Sequence, residues 1–115
     1  MTVKRIVANL ATEDVAGVAT FYRDLFDLDM LMDMGWIATL GASSPAPVQI
    51  SVASQGGSDT AVPDISVEVD DVDAVLEKAR AMGCVIEYGP VDEPWGARRF
   101  YLRDPAGKLV NVLSH

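Results

Sequence analysis

The chain has 115 residues, half of them hydrophobic and 23% charged, enough for one domain with its own core. Its formal charge of −8 repels phosphate backbones, so nucleic acid is not an expected partner; such a charge serves solubility or attracts a cationic small molecule. No apolar run is long enough to cross a membrane, the N-terminus lacks a signal-peptide pattern, and the single Cys84 excludes an internal disulfide, so a cytoplasmic protein is expected.

Residues 3–11 alternate Ile6, Ala8 and Leu10 against Val7 and Asn9, the pattern of a strand. Thr12 or Asp14 caps a helix running to about Asp27, with Val18, Phe21, Tyr22 and Leu25 expected as its buried stripe. Strands over 28–33 and 35–40 follow, joined by an Asp33-Met34-Gly35 turn. The Met30-Leu31-Met32 run and Met34 read as core filling or as an adaptable apolar wall. Residues 41–47 form a loop rich in Ser and Pro, 48–53 a strand with Gln49 and Ser51 on one face, and 54–62 a glycine-rich linker.

The next strand spans 63–69, with Ile65, Val67 and Val69 opposite Asp64, Ser66 and Glu68. Asp70-Asp71 open a second helix to about Met82, with the stripe Val72, Val75, Leu76 and Ala79 and a stop at Gly83. Residues 84–88 are a strand in which Cys84 reads as a small buried hydrophobe rather than a reactive thiol. A loop over 89–96 carries Trp95. A hairpin closes the chain, with strands 98–103 and 108–113 around Asp104-Pro105-Ala106-Gly107. Its apolar face is Phe100, Leu102, Val110 and Val112; the other face carries Arg99, Tyr101 and Asn111 beside Leu109 and Leu113.

The second half repeats the first. Asp14-Val15 recurs as Asp71-Val72 at an offset of 57, which also pairs Val18 with Val75, Arg23 with Arg80 and Val7 with Asp64. Each half reads strand, helix, strand, strand, strand. This predicts an α+β fold: a single domain over 1–115, built of two tandem βαβββ modules at about 1–54 and 61–115. With their half-polar faces inward, the modules form a curved mixed β-sheet around a cleft, helices outside.

By alternation the cleft is expected to receive Val7, Asn9, Gln49, Ser51, Asp64, Ser66, Glu68, Arg99, Tyr101 and Asn111, with Trp95 over its mouth. Polar groups between aromatic walls suit a small organic molecule. Structural readings stand beside these. Asp64 and Glu68 suit an ion network with Arg99 or Arg98, Tyr101 a sheet end, Asn111 a backbone bond and Trp95 the packing of its own loop. The only histidine, His115, is terminal, which leaves no Ser-His-Asp or Cys-His arrangement.

Three segments carry a family resemblance: Asp14 with Phe21-Tyr22-Arg23-Asp24-Leu25-Phe26, then Val67-Glu68-Val69-Asp70-Asp71-Val72-Asp73, and most strongly the closing hairpin from Arg98 to Asn111. On these the chain resembles the glyoxalase, bleomycin-resistance and extradiol-dioxygenase superfamily (vicinal oxygen chelate fold) over essentially its whole length. The resemblance is specific for the fold and not for one reaction. Metal-binding members use His or Gln on the first strand of each half and Glu on the last. Those positions fall at Val7, Asp64 and Asn111, and on the fourth strand at Gln49 or Ser51. Val7 has no donor atom and Asn111 only a neutral amide, so the set falls short of what a divalent ion wants. No metal ligand and no cofactor is expected, a divalent metal being the alternative.

The resemblance further implies a homodimer, and a substrate-contacting tyrosine of fosfomycin-modifying relatives matches Tyr101. The leading expectation is a metal-free small-molecule-binding protein, like the antibiotic-sequestering members, with Gln49, Asp64, Glu68, Trp95, Arg99, Tyr101 and Asn111 binding the ligand. The alternative is a glyoxalase-like lyase, isomerase or dioxygenase. It would be metal-dependent, or use Glu68 or Asp64 as base with Arg99 steadying an oxyanion. A third reading is an interaction module whose cleft is a dimer seam. Whether the protein is an enzyme stays open at this point, and no catalytic residue is assigned.

Overall fold

The computed structural model describes residues 1–42 and 48–115. The elements are β1 (Val3–Ala11), α1 (Val15–Phe26), β2 (Asp29–Asp33), β3 (Ile37–Ala42), β4 (Val48–Ala53), β5 (Ile65–Val69), α2 (Val72–Ala81), β6 (Ile86–Asp92), β7 (Arg98–Arg103) and β8 (Leu109–Ser114). The fold is α+β, two βαβββ modules of mixed strand pairing, each with its helix against one sheet face. Of the loop expected over 41–47, Gly41 and Ala42 instead close β3, and the rest lies outside the described residues.

Two compact units divide the chain, Val7–Val62 and Pro63–His115 together with Met1–Ile6. We call them the N-terminal and C-terminal units. The first six residues go with the C-terminal unit through Thr2, whose amide donates to Asp70 Oδ1 (2.8 Å) and whose carbonyl accepts from the Asp70 amide (3.1 Å).

In the N-terminal unit the strand order is β2-β3-β4-β1. The pair β1–β4 is parallel, the others antiparallel. Asp14 is the N-cap of α1 and accepts from the Gly17 amide at 3.0 Å, while Thr12 Oγ1 accepts from the Asp14 amide at 3.0 Å. Both candidate capping residues are therefore used. A Cβ at Gly17 would meet the Asp14 carboxylate, which would have to shift to make room. The core joins Val15 and Ala19 of α1 to Ala38, Leu40 and Val52, with Val18 and Tyr22 at its margin. Phe21 and Leu25, expected in the buried stripe, are 57% and 60% exposed. The helix is only 12 residues long, and its turn places 15, 18, 19 and 22 toward the sheet, which leaves 21 and 25 on the flank.

In the C-terminal unit the order is β5-β8-β7-β6, parallel between β5 and β8 and antiparallel beyond. Asp71 caps α2 by accepting from the Ala74 amide (3.1 Å), and Gly83 ends it at φ 81°. The core packs Val72, Leu76 and Ala79 of α2 on Val69, Phe100 and Val112, with Cys84 at its margin among the aliphatic side chains. The hairpin turn forms as its residues dictate: Asp104 Oδ1 accepts from the amides of Ala106 and Lys108, each at 2.9 Å. Strand β6 runs through Gly89 and Pro90, where a loop is expected. It ends the strand order, and a residue without an N–H is tolerated at an edge. Two register irregularities, between Ile86 and Tyr88 and between Tyr88 and Val91, absorb it.

Candidate functional site

Because Phe100 and Val112 face α2, strand alternation turns their neighbours to the opposite face of the C-terminal sheet. The register sets one row there across four strands. Ser66 pairs with Asn111, Asn111 with Tyr101, and Tyr101 with Tyr88. Arg99, two residues before Tyr101, lies on the same face.

Arg99 is the centre of this face and is only 3% exposed. Its Nε donates to Glu93 Oε2 at 2.7 Å, and its Nη2 pairs with the same carboxylate. Its Nη1 donates to the Tyr101 hydroxyl oxygen at 2.8 Å. The Tyr88 hydroxyl donates to the Glu93 carboxylate at 3.2 Å. Three rings surround the guanidinium, with centroids at 4.9 Å (Tyr101), 5.0 Å (Trp95) and 5.4 Å (Tyr88). Burial of an unpaired guanidinium would be prohibitive; a carboxylate with hydrogen bonds to spare and three ring faces make it tolerable. The tight loop 93–97 delivers the carboxylate. In it the Glu93 amide donates to the Ala97 carbonyl (2.7 Å) and the Gly96 amide to the Glu93 carbonyl (3.0 Å).

Asn111 sits beside this cluster, 6% exposed. Its Nδ2 donates to Ser66 Oγ at 3.1 Å. Its Oδ1 is buried and, among the described residues, has no hydrogen-bond partner.

Trp95, Arg99, Tyr101 and Asn111 thus come together as expected from the sequence. Asp64, just before β5, and Glu68, within it, are engaged elsewhere. Asp64 Oδ2 accepts from the Leu109 amide at 2.8 Å. Glu68 pairs with Arg5 at 3.2 Å and lies 3.5 Å from His115. Neither forms the ion network with Arg98 or Arg99 considered above. Arg98 instead bridges the exposed Asp73 (2.8 Å) and Asp92 (3.3 Å). The hydrogen bond from Arg98 holds the Asp73 carboxyl below the ordinary carboxylate range.

Gln49 belongs to the N-terminal unit, where it lines a groove with Leu28, Leu40, Gly41, Val48 and Ile50. The register choice between Gln49 and Ser51 resolves to Ser51. Asn9, the offset partner of Ser66, pairs with Ser51 as Ser66 pairs with Asn111.

Glu93 and Tyr88 are the residues that sequence reasoning misses. The irregularities in β6 break the alternation that would have marked Tyr88, and Glu93 lies in a Pro/Gly loop with no periodicity. The one available signal is that an arginine on an inward face needs an acid, and Glu93 is the nearest acid on its N-terminal side.

The residues do not fit the metal that the family resemblance implies. Val7 is apolar and buried, Asn111 supplies one neutral oxygen, and the Asp64 carboxylate is bonded to backbone. Among the described residues no three His, Cys, Asp or Glu side chains gather in ligand geometry.

Known structures share this architecture. A structure described as the NAD-dependent benzaldehyde dehydrogenase from Legionella pneumophila superposes with a TM-score of 0.78 at 14% identity, covering 96% of this chain and 98% of that one. A glyoxalase/bleomycin resistance protein/dioxygenase superfamily member from Vibrio splendidus 12B01 gives 0.63 at 15%, covering 99% and 100%. A methylmalonyl-CoA epimerase gives 0.64 at 16%, covering 100% and 95%. At such identities the likeness is one of fold. No curated protein matches the chain. Residues 3–112 match the profile of the Glyoxalase/Bleomycin resistance protein/Dioxygenase superfamily, and the chain belongs to that superfamily.

Proposed function

We propose that the protein binds a small organic molecule on the polar face of its C-terminal unit, without a metal. The observation that carries this reading is that every carboxylate on that face is already engaged. Glu93 is held by Arg99 and Tyr88, Glu68 by Arg5, and Asp64 by the Leu109 amide. A general base must be available to take a proton, and the Arg99 guanidinium that would steady an oxyanion is committed to Glu93 and Tyr101. What the face offers is an aromatic and polar wall in which Trp95 and Tyr88 are partly exposed and Tyr101 is buried behind them, pinned from within by an ion pair. Such preorganisation favours holding a ligand over transforming it. A homodimer belongs to the same proposal. Phe21, Leu25 and Phe26 leave apolar area exposed on α1, which a second copy would cover.

Trp95 supplies the test. The chain has two tryptophans, so in a Trp36→Phe variant Trp95 is the sole indole emitter. Small aromatic compounds are expected to shift its emission saturably and to raise the melting temperature, with both responses lost in Trp95→Ala. Elemental analysis of the purified protein is expected to find no stoichiometric divalent metal. A saturating thermal response to added zinc, nickel or manganese, with none to organic compounds, would overturn the proposal.

A further inference from the structure

We propose that Asn111 is the specificity residue of this face, selecting ligands that present an N–H or O–H donor on an aromatic or apolar body. The inference rests on the binding reading above. An acceptor oxygen sealed from water without a partner is destabilising in the free protein, and a ligand donor that reaches it by displacing the side chains over it removes that penalty. Its position fits a ligand contact. Asn111 is flanked on one side by Ser66, which is partly exposed, and on the other by Tyr101, whose ring belongs to the aromatic cluster around Arg99.

The opposite ligand class has less to gain. The buried guanidinium is neutralised by Glu93, its Nη1 is spent on Tyr101, and the chain as a whole carries a charge of −8. A carboxylate placed against the Asn111 carbonyl oxygen would meet a like partial charge. An ammonium, amide or hydroxyl meets an acceptor that nothing else fills.

A neutral matched pair, benzyl alcohol against benzyl methyl ether, isolates the hydrogen bond from the net charge, and a charged pair, benzylamine against benzoate, adds it back, all titrated calorimetrically at moderate salt. Benzyl alcohol is expected to bind about tenfold tighter than its ether, and benzylamine at least about tenfold tighter than benzoate. In Asn111→Leu, a near-isosteric change that leaves no acceptor, the alcohol-to-ether ratio should fall to about one. Asn111→Asp, which keeps the acceptor and adds charge, should tighten benzylamine and leave benzoate weaker. The two variants guard against misfolding, since a fold defect would not move the two ratios in opposite senses.

If none of the probes binds the wild-type protein at millimolar concentration, the binding reading itself fails and this inference with it. If they bind but the ether or benzoate is preferred, binding stands and the donor assignment is overturned. A donor preference unchanged in Asn111→Leu also overturns it, because the oxygen would then be serving a bound water and not the ligand.

Discussion

The two units carry the same row of positions on the face away from their helices and fill it in opposite ways. In the N-terminal unit Asn9, Ser51 and Thr39 stand side by side, and the buried Thr39 and Ser51 hydroxyls bond each other at 2.7 Å. In the C-terminal unit the row is Ser66, Asn111, Tyr101 and Tyr88, with a buried ion pair behind it and an amide oxygen left over. One row closes on itself with small side chains; the other is large, charged at its base and incomplete. Duplicated backbones with divergent rows mean that a fold match speaks for the scaffold, while chemistry must be read separately in each half.

The strongest way to break the contrast is Glu93→Gln. It leaves Arg99 buried without its anion, and a loss of about 3–5 kcal/mol in urea denaturation is expected. Thr39→Val, which removes the hydroxyl pair of the other row, should cost only about 1 kcal/mol. If the two variants cost the same, Arg99 is reached by water and the charged row is no special feature.

The helix caps should not distinguish the units. Asp14→Ala and Asp71→Ala are each expected to lose about 1 kcal/mol by the same denaturation. The residues they bond do differ. Gly17→Ala should cost less than Asp14→Ala, because displacement of the capping carboxylate is offset by the better helix propensity of alanine, the residue at the corresponding Ala74. Smaller still is Asn111→Leu, which exchanges one hydrogen bond to Ser66 for relief of an unpaired acceptor. Its stability should lie within about 0.5 kcal/mol of wild type, or above it.

The last expectation concerns pH. Asp73, lowered by its bond to Arg98, and Asp70, lowered by the Thr2 amide, favour the folded state above the ordinary aspartate pKa. That contribution is lost as pH falls through their depressed folded values. In Arg98→Ala, carbon-detected NMR titration should find the Asp73 carboxyl back at the ordinary value. An Asp73 midpoint unmoved by the substitution would show that the crossing contact from Arg98 does not persist in solution.

Most of the scaffold is legible in the sequence because local chemistry and tertiary contacts agree. Asp104, Pro105 and Gly107 announce their turn, Asp14 and Asp71 their helices, and the alternation through Phe100 and Val112 the face toward α2. Arg99, Tyr101 and Asn111 are legible for the same reason: a regular strand maps parity onto direction. Legibility stops where parity breaks. The β6 irregularities hide Tyr88, and the partner of Arg99 depends on how the loop 93–97 folds back, which no period encodes. Phe21 and Leu25 mislead for another reason. Apolar residues at near-helical spacing need not face the core of a short helix that buries only Val15 and Ala19 fully.

The two terminal strands of the strand order have a consequence for self-association in bulk. On β6, Pro90 offers no N–H, and the irregular backbone makes a poor template for another strand. On β2 all five residues are exposed, and Met30, Leu31 and Met32 present an apolar ribbon along an open edge. Asp29 and Asp33 bracket that ribbon. The register shift between Met30 and Met32 also breaks the regular ladder that an added strand would need. The edge strand β6 of the C-terminal unit and the edge strand β2 of the N-terminal unit are thus both irregular, and β2 is flanked by acids as well.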